Sequence, residues 1–270
     1  MPTTYNWIYL GVPRAADNSI ISIDPTEGTA ATPSSPAVRN ATSENANLLV
    51  NRTFGAETNP LYTRITSTTV SDNGGTAGAL DTDNTFSNDT FVTNIGSGNQ
   101  TFTFDGVATY GATVTYADGT TATTTVILAQ STTGELFLAP PPATANPVLT
   151  AKPLVSVSLN SLTNATNLNY NADRLQIGWD DGFIDGTAGN DLIDTAYIEP
   201  IGSGSDVIDG GDGISSSGTG WNDDRVRAGA GNDTILSGAG NDLVLGEAGD
   251  DSIDGGAGND TIDAGDGNDT

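Results

Sequence analysis

Cysteine and histidine are both absent from this chain of 270 residues. Without cysteine the protein has no disulfide and no thiolate metal site. Without histidine it lacks the commonest general base, the Ser-His-Asp and Cys-His nucleophile systems and the His-Glu-x-x-His zinc site. We therefore predict no catalytic residues and no enzyme activity.

Basic residues are scarce, with eight Lys and Arg against 34 Asp and Glu and a net charge of −26. Binding to nucleic acid by counterion release needs a basic face, so we expect no nucleic-acid partner. The apolar stretch at residues 7–12 is too short for a membrane span, and we expect none. A hard cation is the partner that this charge favours.

Composition divides the chain near Trp179. Residues 1–178 are rich in Thr, Asn, Ala and Val, whereas Gly and Asp dominate residues 179–270. Within the first part, four runs are typical of short strands: residues 100–107, 112–119, 121–128 and 134–138. Turn signals separate them and predict consecutive hairpins: Asp105-Gly106, Asp118-Gly119 and Thr133-Gly134.

From these patterns we predict an all-β protein. An antiparallel β-sandwich over residues 1–178 is followed by a parallel β-roll of nine-residue repeats over residues 179–270. The proline-bearing stretches at residues 24–47 and 139–147 are predicted to be irregular. Two small domains in place of one sandwich remain an alternative for the first part.

The repeat has a period of nine and runs from Ile201 onward without insertion. An aspartate recurs at one position of each row, with Ser215 as the exception: Asp206, Asp224, Asp233, Asp242, Asp251, Asp260 and Asp269. An aliphatic residue follows two positions later: Ile208, Val226, Ile235, Val244, Ile253 and Ile262. Residues 186–194 form a further copy that contains Asp191. The alternative is a glycine-rich acidic linker, but a linker does not explain why the aspartates and the aliphatic residues recur with the same period of nine.

Each part of the row has a physical role. Glycine permits tight turns with positive φ and exposes backbone carbonyls, while aspartate supplies the hard anionic oxygen that calcium prefers. The aliphatic residue lies in a very short strand and must stack on its counterparts to form a core. The predicted metal ligands are Asp191, Asp206, Asp224, Asp233, Asp242, Asp251, Asp260, Asp269, Gly229, Gly231, Gly238, Gly240, Gly249, Gly256 and Gly258.

The row resembles the RTX (repeat-in-toxin, hemolysin-type calcium-binding) motif, Gly-Gly-x-Gly-x-Asp-x-U-x with U a large aliphatic residue, over residues 182–270. The resemblance implies bound Ca²⁺, folding on extracellular calcium, type I secretion and a secreted or cell-surface location. It also implies that one turn takes two rows, so that alternate positions form two edges: Asp206, Asp224, Asp242 and Asp260 on one, and Ser215, Asp233, Asp251 and Asp269 on the other. Residues 1–178 resemble modules that precede such arrays in large secreted bacterial proteins.

The favoured function is calcium-dependent folding that presents the N-terminal β module in an adhesion or matrix role. Self-assembly into a surface layer or filament, through the open roll end at Thr270, is one alternative. The last row is incomplete there, and we expect the protein to continue beyond it. A second alternative function is binding of a surface glycan or protein by the N-terminal domain, based on the aromatic residues Tyr110, Tyr116 and Trp179. Residues 81–89 are either a further calcium loop, with Asp81, Asp83 and Asp89, or a polar turn.

Overall fold

The computed structural model confirms the all-β class. It describes residues 3–23, 43–44, 46–73, 79–80, 89–140, 146–165, 170–171, 179–200, 206–209 and 222–270. Strands and two short 3-10 helices, η1 (Ala46–Leu49) and η2 (Leu61–Arg64), are the regular elements of these residues. No helix in the described ranges is long and apolar enough to cross a membrane. The chain divides into two compact units, residues 1–115, 121–148 and 155–177, and residues 116–120, 149–154 and 178–270.

Among the described residues, twelve strands precede the repeats. They are β1 (Thr3–Gly11), β2 (Ile21–Ser22), β3 (Ser43–Glu44), β4 (Thr53–Phe54), β5 (Ile65–Ser71), β6 (Ala79–Leu80), β7 (Thr90–Asn94), β8 (Asn99–Tyr116), β9 (Thr121–Ser131), β10 (Leu136–Ala139), β11 (Leu154–Asn164) and β12 (Tyr170–Asn171). Eight of them form one sheet in the order β4-β11-β8-β7-β5-β1-β10-β9, and the pairs resolved by register are antiparallel.

Strand β8 closes this sheet on itself, because it also pairs with β9. Its first residues pair with β7, and residues 104–115 pair with β9 after a register shift between Phe104 and Gly106. The hairpin turn predicted at Asp105-Gly106 is therefore wrong, since this dipeptide lies at a bulge inside one long strand. A bulge bends a strand and increases its twist, which helps β8 to pair with β7 at its start and with β9 along the rest of its length. The turns predicted at Asp118-Gly119 and Thr133-Gly134 are confirmed.

Aromatic side chains fill the interior of the N-terminal sheet. Phe137 lies with its ring centroid 5.5 Å from that of Trp7, 5.3 Å from that of Phe91 and 6.3 Å from that of Phe102. All four side chains are buried. Tilted and edge-on ring contacts at these distances add to the free energy of burial.

Replacing Phe137 with alanine is expected to lower the free energy of unfolding of the N-terminal unit by about 3–5 kcal/mol, because the fully buried ring leaves a cavity. Thermal or denaturant unfolding followed by tryptophan fluorescence measures this loss. Leu48→Ala is the control, since Leu48 is an exposed side chain, and it should change the unfolding free energy little. Equal effects of the two substitutions would contradict the aromatic core.

The aromatic residues that suggested glycan binding are buried. Tyr110, Tyr116 and Trp179 have almost no accessible surface, and the hydroxyl of Tyr110 donates a hydrogen bond to the carbonyl of Ala46 at 2.8 Å. Burial raises the pKa of Tyr110 well above that of a free tyrosine. The prediction that these three residues form a binding surface is wrong, because Tyr110 and Tyr116 lie on the buried face of β8 and Trp179, outside the strands, is also buried.

Several predicted segments fall wholly or partly outside the described residues. These are residues 24–42 and 45 of the first irregular stretch, residues 141–145 of the second, and residues 81–88 of the candidate calcium loop. Asp89, at the end of that loop, is buried, and its carboxylate accepts a hydrogen bond from the Asn73 N–H at 2.7 Å.

The repeats form two parallel sheets of very short strands. The strands are β13 (Ile184–Asp185), β14 (Leu192–Ile193), β15 (Arg225–Arg227), β16 (Thr234–Leu236), β17 (Leu243–Leu245), β18 (Ser252–Asp254) and β19 (Thr261–Asp263). One sheet has the order β13-β15-β17-β19 and the other the order β14-β16-β18. Successive rows therefore alternate between the sheets, as the two-row turn predicts.

Most of the predicted aliphatic residues form the core between these sheets, but Ile262 does not, since it is 46% exposed. The core contains Ile184, Ile193, Ile208, Val226, Ile235 and Val244, with Ile253 packed against it. Full burial of one such side chain contributes about 1.5–3 kcal/mol, before the entropy of ordering the row is subtracted. Each row thus depends on its neighbours for stability.

Candidate metal-binding turns

The aspartates of the repeats stack in two columns along the roll. The first column contains Asp224, Asp242 and Asp260, and the second contains Asp191, Asp233, Asp251 and Asp269. In each column the backbone N–H of one aspartate donates to Oδ1 of the next, as between Asp224 and Asp242 at 2.9 Å and between Asp233 and Asp251 at 2.9 Å. The same bond links Asp242 to Asp260 at 3.1 Å and Asp251 to Asp269 at 3.0 Å.

The start of both columns differs from the prediction. The N–H of Asp191 donates to Oδ1 of Asp233 at 2.8 Å across 42 residues, in the position that the prediction assigned to Ser215. Strand β15 pairs with β13, and not with the row of Asp206. The N–H of Asp206 donates to Oε2 of Glu199 at 3.1 Å, and Ser215 itself lies outside the described residues. The stacking predicted for Asp206 is therefore wrong, because its N–H donates to Glu199 and not to Oδ1 of Asp224.

Three of the stacked carboxylates have a buried second oxygen. Oδ2 of Asp233, of Asp242 and of Asp251 is buried without a hydrogen-bond partner. Burial raises the pKa of Asp233 and of Asp242 above that of a free aspartate. Neighbouring strands lie about 4.8 Å apart, and like charges at that distance repel by about 1 kcal/mol in water and roughly 3 kcal/mol at an effective dielectric constant of about 20. The turns thus bring buried carboxylate oxygens of like charge close together.

A second ladder runs beside each aspartate column and uses the residue before each aspartate. The N–H of Asp250 donates to Oδ1 of Asn232 at 3.0 Å, and the N–H of Asn268 donates to Oδ1 of Asp250 at 2.9 Å. On the other side, the N–H of Asn241 donates to Oδ1 of Asp223 at 2.8 Å. These bonds point toward the preceding turn, whereas the aspartate bonds point toward the following one. Each turn is consequently held from both sides.

Glycine is required where successive turns approach most closely. Gly240, Gly249 and Gly258 have φ values of 150°, 144° and 148°. A Cβ on Gly249 would lie 1.6 Å from the carbonyl oxygen of Gly231, and a Cβ on Gly258 would lie 1.5 Å from that of Gly240. No residue with a side chain fits at this position without moving the neighbouring turn.

The carbonyls of the predicted glycine ligands fall into two classes. Those of Gly229 and Gly238 accept inter-turn hydrogen bonds from Ala248 at 3.0 Å and Ala257 at 2.8 Å. None of the described inter-turn hydrogen bonds ends on the carbonyl of Gly231, Gly240, Gly249, Gly256 or Gly258. These five oxygens are available to a cation.

The donor set fits a hard cation bound by a mixture of ligands. Within the described ranges, no group of three acidic side chains is arranged to hold a metal ion. Calcium takes about six to eight oxygen ligands, so backbone carbonyls must supply the larger share beside one or two carboxylates. The unsatisfied Oδ2 atoms of Asp233, Asp242 and Asp251 and the glycine carbonyls that accept no inter-turn hydrogen bond have this chemistry.

Two acidic residues outside the predicted set also take part in the roll. The carboxylate of Glu199 accepts the N–H of Asp185 at 2.6 Å, and burial raises its pKa to about 8. The carboxylate of Asp209 accepts the N–H of Ala239 at 3.1 Å. Neither residue has the repeat position of a ligand, so the period of nine does not reveal its role.

The comparison with protein families identifies the repeats. Residues 219–253 and 237–270 match the family model of the RTX calcium-binding nonapeptide repeat, in four copies. The match covers the part of the chain that contains the regular strands β15 to β19. The chain matched no curated protein and no solved structure.

Proposed function

Since residues 219–270 are an array of RTX calcium-binding nonapeptide repeats, we propose that calcium drives the folding of the roll and that the protein acts outside the cell. The folded roll then presents and stabilises the N-terminal β module, in an adhesion or matrix role. The proposal includes no catalytic step, since the chain has no histidine or cysteine.

The observation that carries this proposal is the set of buried Oδ2 atoms of Asp233, Asp242 and Asp251. An unpaired carboxylate oxygen in a buried position costs free energy, and stacking adds repulsion between neighbours. Each row offsets this cost with one aliphatic side chain only. A calcium ion between turns satisfies these oxygens and removes the repulsion, so that binding free energy becomes folding free energy.

The concentration of calcium supports an extracellular site of action. Extracellular calcium modules have dissociation constants of about 10⁻⁴ to 10⁻³ M, which cytosolic calcium does not reach. A roll with such affinity stays unfolded before export and folds afterwards. The resemblance to RTX proteins is consistent with type I secretion, which transports unfolded chains.

A calcium titration of the full chain, followed by far-UV circular dichroism, tests the proposal. We expect the β-sheet signal to rise cooperatively at about 10⁻⁴ to 10⁻³ M calcium, on top of a constant contribution from the N-terminal sheet. Magnesium at equal concentration is the control and should produce no change, because it needs near-ideal octahedral geometry and retains its water ligands. A full β signal in the presence of EGTA would overturn the proposal.

A further inference from the structure

The first aspartate of each column differs from those that follow. Oδ2 of Asp191 accepts hydrogen bonds from the N–H of Thr187 at 2.6 Å and from its hydroxyl at 2.8 Å. Oδ2 of Asp224 accepts the N–H of Asp209 at 2.9 Å. The equivalent oxygens of Asp233 and Asp242 accept no hydrogen bond of normal geometry, although the Ser237 hydroxyl is close enough to Asp242 to oppose the rise in the pKa of its carboxyl group. At the start of both columns, protein donors thus satisfy the Oδ2 atom of the aspartate. Farther along the columns, we expect a cation to satisfy it.

Thr187 and Asp209 depart from the repeat pattern, and the side chains of both form hydrogen bonds at the start of the roll. Thr187 occupies the row position that is glycine in Gly229 and Gly238, and its hydroxyl provides one of the two donors to Asp191. Asp209 accepts the N–H of Ala239, while the equivalent N–H one turn later, on Ala257, donates to a backbone carbonyl. Its side chain therefore replaces a backbone carbonyl acceptor.

An arginine supplies the positive charge at the first strand. The guanidinium of Arg227 binds both carboxylate oxygens of Asp185, at 2.7 Å and 2.9 Å, and Oδ2 of Asp181 at 2.8 Å. It also lies 4.2 Å from the ring centroid of Phe183, which Arg225 covers as well at 3.8 Å. A bidentate, half-buried pair of this kind is stronger than an exposed ion pair. The guanidinium of Arg227 thus serves as a fixed cation for β13, the first strand of the roll.

The row of the first strand also lacks the calcium-binding side chain. Gly182 occupies the row position that is aspartate in every other row but that of Ser215, two positions before the inward-pointing Ile184, and its φ is 72°. The N–H of Asp185 donates to Glu199 at 2.6 Å, and its carbonyl accepts the hydroxyl of Tyr197 at 3.2 Å. Protein groups therefore satisfy the polar atoms of this row.

From these contacts we infer that residues 181–194, together with β15, form a calcium-independent cap of the roll, and that Asp191 and Asp224 are not calcium ligands. The calcium-dependent rows begin with Asp233 and Asp242. The cap presents β14 and β15 as formed parallel edges on which β16 and β17 pair, which lowers the entropic cost of adding the next turns. This inference rests on the proposed function for the remaining rows.

Hydrogen exchange of the full chain, measured by mass spectrometry in EGTA and in millimolar calcium, tests the cap. In EGTA we expect peptides within residues 181–194 to be protected and peptides within residues 243–270 to exchange freely. In calcium both groups should be protected. Exchange of both groups in EGTA, with protection of both in calcium, overturns the cap and leaves the proposed function intact. Protection of residues 243–270 in EGTA overturns the proposed function itself.

Two substitutions assign the protection to the named contacts. Arg227→Gln removes the fixed cation and is expected to speed exchange of residues 181–194 in EGTA at least about tenfold. Leu245→Gln is the matched control, because Leu245 is the register partner of Arg227 one turn later, and it should leave this exchange unchanged. Thr187→Gly restores the repeat residue, removes one donor to Asp191 and should make protection of residues 186–194 calcium-dependent. Wild-type protection in EGTA in both Arg227→Gln and Thr187→Gly would overturn the cap.

Discussion

Replacing Gly249 with alanine is expected to abolish the calcium-induced ordering of the turns around it. The residue has a φ of 144°, and an added Cβ would lie 1.6 Å from the carbonyl oxygen of Gly231. Backbone strain of this kind costs about 1–3 kcal/mol, and the steric clash requires the adjacent turn to move as well. A row whose core is one aliphatic side chain cannot offset both penalties.

The effect of Gly249→Ala is measured in the full chain by the calcium titration and by hydrogen exchange in saturating calcium. Ala248→Ser is the matched control, because it adds one atom to the neighbouring residue, which is exposed. The control should fold at the wild-type calcium concentration, whereas Gly249→Ala should leave residues 243–270 unprotected. A wild-type midpoint for Gly249→Ala would show that the turns do not stack as closely as described.

The second large effect is expected from Asp251→Asn. The amide oxygen of asparagine can still accept the N–H of Asp233, so the backbone ladder remains, but the anionic oxygen that is buried without a partner is lost. Because calcium affinity depends on the charge of its ligands, we expect the calcium midpoint to rise about tenfold, which corresponds to about 1.4 kcal/mol. Removal of one negative charge from the column also reduces repulsion, so the variant should not be less stable than the wild type in EGTA.

Asp254→Asn separates this local effect from a change in net charge. Asp254 belongs to the same row, is exposed, and its carboxylate accepts the N–H of Gly256 at 3.0 Å, a bond that asparagine can also accept. The net charge of the two variants is equal. Circular dichroism midpoints measured side by side should differ about tenfold. Identical midpoints would mean that calcium binding depends on overall charge and not on the aspartate columns.

The period of nine predicted most of the regular part of the roll. Rows of equal length put every aspartate in one phase and every aliphatic residue in another, so the two columns and the core from Val226 to Ile253 could be predicted without coordinates. The requirement for glycine could also be predicted as a tendency. That the clash involves the carbonyl one turn earlier, as between Gly249 and Gly231, is a property of the stacked turns.

In the N-terminal unit, the sequence predicted strands but not their closure. Alternation of apolar residues shows which side chains point to one face, and it led to the antiparallel β architecture. It does not show whether Asp105-Gly106 is a turn or a bulge, because both use glycine for the same conformational freedom. Only pairing with both β7 and β9 decides this. The same pairing buries Tyr110, which the sequence alone left as a surface candidate.

At the start of the roll, the sequence determined the repeat, and the tertiary structure decided which rows are neighbours. Phase is a local property, so Asp191, Asp206 and Asp233 look equivalent in the sequence. Which rows become neighbours depends on the tertiary structure. A hydrogen bond between residues 42 positions apart in the sequence places Asp191 beside Asp233. The contacts of Thr187, Asp209 and Arg227 likewise exist only after the rows have stacked. For this reason the calcium-binding character of the repeats can be predicted from the sequence, whereas the boundary that we propose between metal-free and metal-dependent turns depends on the fold.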